Sequence, residues 1–212
     1  MDERIYQVLV KSAVILTLLW VGWTLYEQML ADSNPVSREL AAASRYIEDG
    51  QHQEALNSYQ KVLNGDPDNS QALYGKALAL TQLDASQPPG QANSYAADAI
   101  HAYNRLIAIE EGKPESERNR SLLGVSYANR GILKDRYGSH RQALSDYQTA
   151  LRLEPKLAEG PGWMTRFLRN QAKAPSTIAD RAAYLAEQLK LPASEQILRQ
   201  QELDSAQRSY KM

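Results

Sequence analysis

The stretch NRGILKDRYGSHRQALSDYQTALRLEP, Asn129 to Pro155, decides the fold. In it Ala143 is followed by Tyr147, Ala150 and Pro155, at offsets of four, three and five. The first two offsets put Ala143, Tyr147 and Ala150 on one helix face, and the proline ends the helix because it has no amide hydrogen and its ring clashes with the preceding turn. Gly138, five residues before Ala143, supplies the turn that feeds this helix from an earlier one. The spacing returns at Ala55, Tyr59, Val62 and Pro67, preceded by Gly50, and at Ala99, Tyr103, Leu106 and Glu111. Three helical hairpins are therefore expected, each closing on an Ala–Tyr helix.

Composition agrees with an all-α chain. The 212 residues include 28 alanines and 27 leucines against 22 Val, Ile and Thr together, a balance that favours helix over sheet. Zero cysteines exclude thiolate metal sites, iron–sulfur clusters, a cysteine nucleophile and disulfides. A net charge of −1 gives no electrostatic case for nucleic acid. Three histidines show no metal-ligand spacing, and there is no P-loop and no G-x-S-x-G. No catalytic, cofactor or metal site and no small-molecule substrate is expected. His52 and His140, each two residues past a turn glycine, read as packing residues.

The hairpin segments, YIEDGQHQEALNSYQKVLNGDPDN as well as the opening stretch, resemble the tetratricopeptide repeat, and the resemblance runs from about Val36 to Leu157. It implies a solenoid of about three repeats with Ala43, Ala77 and Gly131 as the small residues of the first helices. Lys134, and Lys76 and Arg130 where leucine is usual, depart from the pattern. The alanines recur every 44 residues rather than 34, which fits hairpins with inserts near 84–94 and 111–120. The resemblance also implies a ligand groove on the first helices, lined by Leu40, Ser44, Tyr74, Leu78, Ala128 and Ile132, with Asp135 at its far end. Leu40 and Ser44 stand where the family's clamp for acidic chaperone tails needs Lys and Asn, so apolar or mixed protein contacts are expected instead. Arg118, Arg120, Arg130, Lys134, Arg136 and Arg141 form a basic cluster that reads as a solvated helix face, with an acidic partner or lipid headgroups as the alternative.

Two flanking parts complete the organisation. Residues 5–26 are 22 predominantly apolar residues, about 33 Å as a helix, enough to cross a bilayer core of about 30 Å. Lys11 would snorkel to the near interface, while Trp20, Trp23 and Tyr26 mark the far one. A cleaved signal peptide is the competing reading, but Met29 stands where a small residue is needed for a cut after Ala31. Arg4 and Lys11 before the segment, against Glu27 and Asp32 after it, orient the amino terminus to the cytoplasm. The expected layout is an anchor at 1–31, repeats at 32–159 and a helical cap with tail at 160–212.

In the last part Ile178, Ala182, Leu185 and Leu189 make an apolar stripe, and Asp180 takes the repeat's alanine place, as in a degenerate fourth hairpin. The tail from Ala193 is expected to start helical and then extend over the surface or a partner. The expected function is a single-pass scaffold for protein–protein interaction at a bacterial inner membrane, with its repeats in the periplasm. It would serve as an assembly factor or as a permanent accessory subunit of a membrane complex.

Overall fold

A computed structural model describes residues 3–87, 94–159, 176–199 and 209–210. The Gly160–Gly162 breaker, the run from Trp163, the centre of the first insert and most of the tail lie outside the described residues. Among these residues eight α-helices follow in chain order: α1 (Glu3–Ser33), α2 (Pro35–Glu48), α3 (His52–Gly65), α4 (Ser70–Ala85), α5 (Tyr95–Gly112), α6 (Arg120–Arg136), α7 (His140–Leu153) and α8 (Ile178–Gln188). No strand occurs among the described residues. The pairs α2–α3, α4–α5 and α6–α7 are the three hairpins, and α8 packs against α7.

Local chemistry sets the helix ends. Each hairpin opens on an asparagine N-cap: Asn34, Asn69 and Asn119 accept from the amides of Val36, Ala72 and Leu122 at 2.9–3.0 Å. Gly50 and Gly138 turn the chain between helices at φ of 75° and 84°, where side-chain-bearing residues are strained. The amides of Gln51 and Ser139 then reach back to the carbonyls of Tyr46 and Lys134, both at 2.8 Å, closing the last turn of α2 and α6. Helix α3 ends at Gly65, two residues before Pro67, and α7 ends at Leu153, two before Pro155.

The core interlocks small residues with tyrosine rings. Ala55, Ala99, Ala143, Ala43 and Ala77 are wholly buried, as are Tyr103 and Tyr147, with Tyr59 nearly so. A Cβ on Gly131 would lie 2.8 Å from the Tyr147 ring, within its own hairpin, and one on Gly75 would land on the Tyr59 ring of the preceding hairpin. Gly75 thus allows α4 to approach α3 closely, a role its sequence position did not reveal.

A buried acid stands at the near end of each insert. Asp84, near the end of α4, accepts from Arg136 at 2.9 Å and from the Tyr137 hydroxyl at 2.5 Å. Glu110, 1% exposed, accepts from Ser70 Oγ at 2.6 Å, Lys113 Nζ at 2.5 Å and the Asn119 amide at 3.1 Å. Burial alone would push the Glu110 carboxyl up; the Lys113, Ser70 and Asn119 bonds outweigh it and hold the group below the usual carboxylate range.

The cap differs in detail from the sequence expectation. Asp180 does not act as a repeat alanine: it accepts from the Thr177 amide while the Thr177 hydroxyl accepts from the Asp180 amide, a capping box that starts α8. Ile178, Ala182 and Leu185 are buried and Leu189 partly so. Among the described residues after Pro192 a 3-10 turn forms at Ala193–Glu195 and 196–199 are not helical, so the tail does not start as an α-helix there. Side chains of α8 take up its backbone instead: Tyr184 donates to the Ile197 carbonyl at 2.6 Å and Arg181 to the Leu198 carbonyl at 2.8 Å.

Helix α1 stands outside this body. Its stretch Leu9–Glu27 has mean hydropathy 1.6, is long and apolar enough to cross a membrane, and is covered nowhere by the rest of the chain.

Candidate functional site

Contacts among the first helices identify the site face. The first helices touch in series, α2 on α4 and α4 on α6, whereas α3 and α5 are parted by a cleft of about 540 Å³ lined by Leu56, Gln60, His101 and Arg105 among others. The first helices therefore share one continuous surface, which is the candidate site face.

Of the six expected groove residues, Leu40, Tyr74, Leu78, Ala128 and Ile132 are buried and Ser44 is exposed. Part of that cover is the chain itself. The Asn129 side chain, fully buried on α6, donates from Nδ2 to the carbonyl of Tyr210 at 2.9 Å and accepts from the Tyr210 amide on Oδ1 at 2.8 Å. The Tyr74 hydroxyl donates to the same carbonyl at 2.9 Å. The Tyr210 ring is half-buried; its hydroxyl donates to the Leu157 carbonyl at 3.2 Å and accepts from the Ile178 amide at 3.3 Å. Burial pushes the Tyr210 phenol up, the Ile178 bond pulling against it and the nearby Asp180 charge adding to it. A primary amide has a donor and an acceptor side by side, so one asparagine satisfies both polar groups of a main-chain residue whatever its side chain.

Neither Asn129 nor Tyr210 was singled out in the sequence. A signal existed for each: Asn129 is an amide among inward-facing apolar positions two residues before Gly131, and Tyr210 is the only aromatic residue after Pro192.

Behind Asn129 lies a polar row formed by the repeat tyrosines. Tyr59 and Ser44 hydroxyls are 3.3 Å apart, and Tyr147 donates to Asp135 at 3.3 Å. Thr81 and Asn129 lie beside the fully buried Tyr103 phenol, which burial pushes well up. Asp135 is not an open groove residue. It holds Arg181 of α8 at 2.6 and 3.0 Å and His140 Nδ1 at 2.8 Å, so the cap covers it. His140 is thus buried as expected, but held by a hydrogen bond to Asp135 as well as by packing.

The basic cluster is a solvated face only in part. Arg130 pairs with both oxygens of Asp146 at 2.7 and 2.8 Å, and Lys134 reaches the same carboxylate at 2.9 Å, which explains how the two departures from the repeat pattern are accommodated. Arg136 holds Asp84, and Arg118 donates to the carbonyls of Lys113 and Glu111. Arg120, Arg141 and Arg136, despite its bond to Asp84, are exposed.

On α1, Lys11, Trp20, Trp23 and Tyr26 are all exposed, the Trp23 and Tyr26 rings lying 6.2 Å apart. Thr17 and Thr24 return their hydroxyls to the carbonyls of Ala13 and Val21 at 2.8 and 2.9 Å. These two hydroxyls are thereby satisfied within the helix.

A solenoid of helical hairpins defines the class, and a solved structure puts it among tetratricopeptide-repeat folds. The first such domain of Spaghetti (RPAP3), bound to the HSP90 peptide SRMEEVD, is similar at a TM-score of 0.50 and 19% identity, over 74% of this chain and 94% of that one. The NMR structure of the first domain of human RPAP3 gives a TM-score of 0.45 and 22% identity, over 72% and 95%. No family model and no curated protein matches the sequence.

Proposed function

We propose that the chain is a membrane-anchored scaffold whose groove holds an extended segment of a partner protein, and that it serves as an assembly factor for a bacterial membrane complex, with its repeats on the periplasmic side. The observation that carries this reading is the two-point clasp of Asn129 on a main chain distant in sequence. Such a clasp reads backbone, and side chains on the neighbouring Tyr74, Leu78 and Ile132 supply apolar contact. A tetratricopeptide-repeat neighbour that holds an HSP90 peptide supports a peptide as the ligand class. The acidic chemistry of that peptide does not carry over, because Leu40 and Ser44 offer no cation.

The anchor rests on the uncovered apolar surface of α1 and on the order of Lys11, Trp20, Trp23 and Tyr26 along it. A permanent accessory subunit is the other reading, favoured by the same bare α1, which a neighbouring membrane helix would cover as well as lipid.

Purification of the full chain in mild detergent tests the reading, with Asn129→Ala as the groove variant and Arg141→Ala, outside the groove, as control. The expected result is loss of most co-purifying protein from Asn129→Ala alone, with helical signal and membrane insertion unchanged. Equal recovery from both variants overturns the groove. Stoichiometric recovery of a fixed partner set decides for the subunit, and substoichiometric recovery for the assembly factor. A periplasm-specific reporter fused after Met212 tests orientation; activity of a cytoplasmic reporter at that point reverses it.

A further inference from the structure

We infer that the groove is specific for an extended segment bearing a tyrosine, and that the chain's own C-terminal segment occupies it in the free protein, so that a partner binds by displacing Tyr210. This rests on the reading of the groove as a peptide site and goes beyond it in naming the preferred side chain and the resident competitor. Five hydrogen bonds converge on this one residue. Three are made to its main chain by Asn129 and Tyr74, and two to its phenol oxygen, by the Leu157 carbonyl and the Ile178 amide.

The four elements involved are far apart in sequence. Asn129 is 81 residues from Tyr210 and Tyr74 is 136, so nothing local forces the tail to lie there. The main-chain bonds are indifferent to sequence, whereas the phenol bonds are not. The first amide of α8 and a carbonyl of the turn after α7 form a donor–acceptor pair that a hydroxyl can bridge and an aliphatic side chain cannot. The preceding Asp180 carboxylate disfavours an anion at the same place, so the neutral phenol fits and an acidic side chain does not.

Asn129 supplies the argument for a resident occupant. Its amide is wholly buried and its oxygen is met by the Tyr210 amide, so withdrawal of the tail leaves a polar pair at the groove floor that another backbone can take over. Arg199 is held to the carbonyl of Arg136 at 3.5 Å, eleven residues before Tyr210. A tether of that length keeps the tyrosine at an effective concentration on the order of millimolar. A free segment of modest affinity then binds the intact chain roughly ten- to hundredfold more weakly than it binds a chain whose groove is open.

The test uses the full chain in detergent micelles and a fluorescein-labelled synthetic peptide of residues 205–212, SAQRSYKM, followed by fluorescence polarisation. Tyr210→Ala removes the ring and both phenol bonds that hold the tail in the groove, and an unchanged helical signal by circular dichroism checks that the variant folds. The peptide is expected to bind Tyr210→Ala at least tenfold more tightly than the unaltered chain, and a peptide with alanine in place of the tyrosine to bind neither. Adding Asn129→Ala to Tyr210→Ala should abolish binding, while adding Tyr74→Phe, which removes one hydroxyl only, should weaken it several-fold.

Equal affinity for the unaltered chain and Tyr210→Ala overturns the resident tail while leaving the groove a peptide site. Equal binding of the alanine peptide overturns the tyrosine preference. Absence of binding to every variant overturns the inference, and partner recovery by Asn129→Ala, measured separately, then decides whether the groove reading falls with it. Affinity for the unaltered chain that weakens as protein concentration rises would place the tail in a second copy and overturn the intramolecular form.

Discussion

The first and third hairpins are built on one apolar pattern and differ in what lies between their helices. In α2–α3 the polar contacts are a 3.3 Å approach of Ser44 and Tyr59 hydroxyls and a 2.8 Å ion pair of Glu39 and Lys61 at the surface. In α6–α7 Asp146 binds Arg130 and Lys134, and Asp135 binds Arg181, His140 and Tyr147, all with side chains no more than 15% exposed where an ion pair is made. The apolar residues therefore determine that a hairpin forms. The acids determine where the array ends, because Asp135 is what couples the last repeat to α8 and Asn129 stands two turns before it.

Asp135→Ala tests that contrast most severely. Removing one partner leaves Arg181 charged and buried, a change expected to lower stability by about 3–5 kcal/mol. Ser44→Ala, which removes an exposed hydroxyl from the matching side of hairpin one, should lower it by under about 1 kcal/mol. Thermal unfolding of the full chain in detergent, followed by circular dichroism, compares them. Similar shifts would show that the polar layer of the third hairpin holds nothing that the first lacks.

Between the two hairpins the Glu110 cluster should show the same dependence on a buried acid, with a pH signature. Its carboxyl titrates below the usual range in the folded chain, so its contribution is present above the unfolded value, near 4.3, and is lost as pH falls through the folded one. At pH 7 Glu110→Gln should cost about 1.5–3 kcal/mol through bonds to a charged group. Melting temperatures of the variant and the unaltered chain should converge as pH falls toward 3. A gap that persists in acid would assign the loss to packing.

The repeat helices were legible because offsets of four and three, repeated three times and twice preceded by a turn glycine, have only one common geometric reading, and Ala55, Tyr103 and Tyr147 are buried accordingly. The ion pairs were not. Lys134 and Arg130 look like breaks in a pattern until Asp146, on the facing helix, is brought within 2.9 Å of both. The clasp was not legible either: Asn129 pairs with a residue 81 positions away that no local periodicity connects to it. Side-chain spacing encodes contacts along one helix; it does not encode which distant backbone will lie across it.

The apolar layer should respond alike in both hairpins. Ala55→Leu and Ala143→Leu each add a branched side chain at a wholly buried position and should each cost about 1–3 kcal/mol. Gly131→Ala, whose Cβ would sit 2.8 Å from the Tyr147 ring, belongs at the lower end of that range. A large loss at one alanine and none at the other, in unfolding of the full chain, would show that the shared spacing conceals two different packings.

The smallest effect is expected at Glu39–Lys61. The Lys61 bond, with help from Ser58, holds the Glu39 carboxyl below its usual range, yet the two side chains remain 24% and 73% exposed. Water screens the pair and both partners lose side-chain freedom in forming it, so Lys61→Ala should shift stability by about 0.2–1 kcal/mol. In 1 M salt, where the screening length falls to about 3 Å, that shift should shrink toward zero. Arg130→Ala, which exposes the buried Asp146 to less compensation, should keep most of its larger effect in the same salt because ions do not reach a carboxylate that is 5% exposed. Equal salt dependence at the two sites would place both pairs in solvent and remove the physical difference between the hairpins.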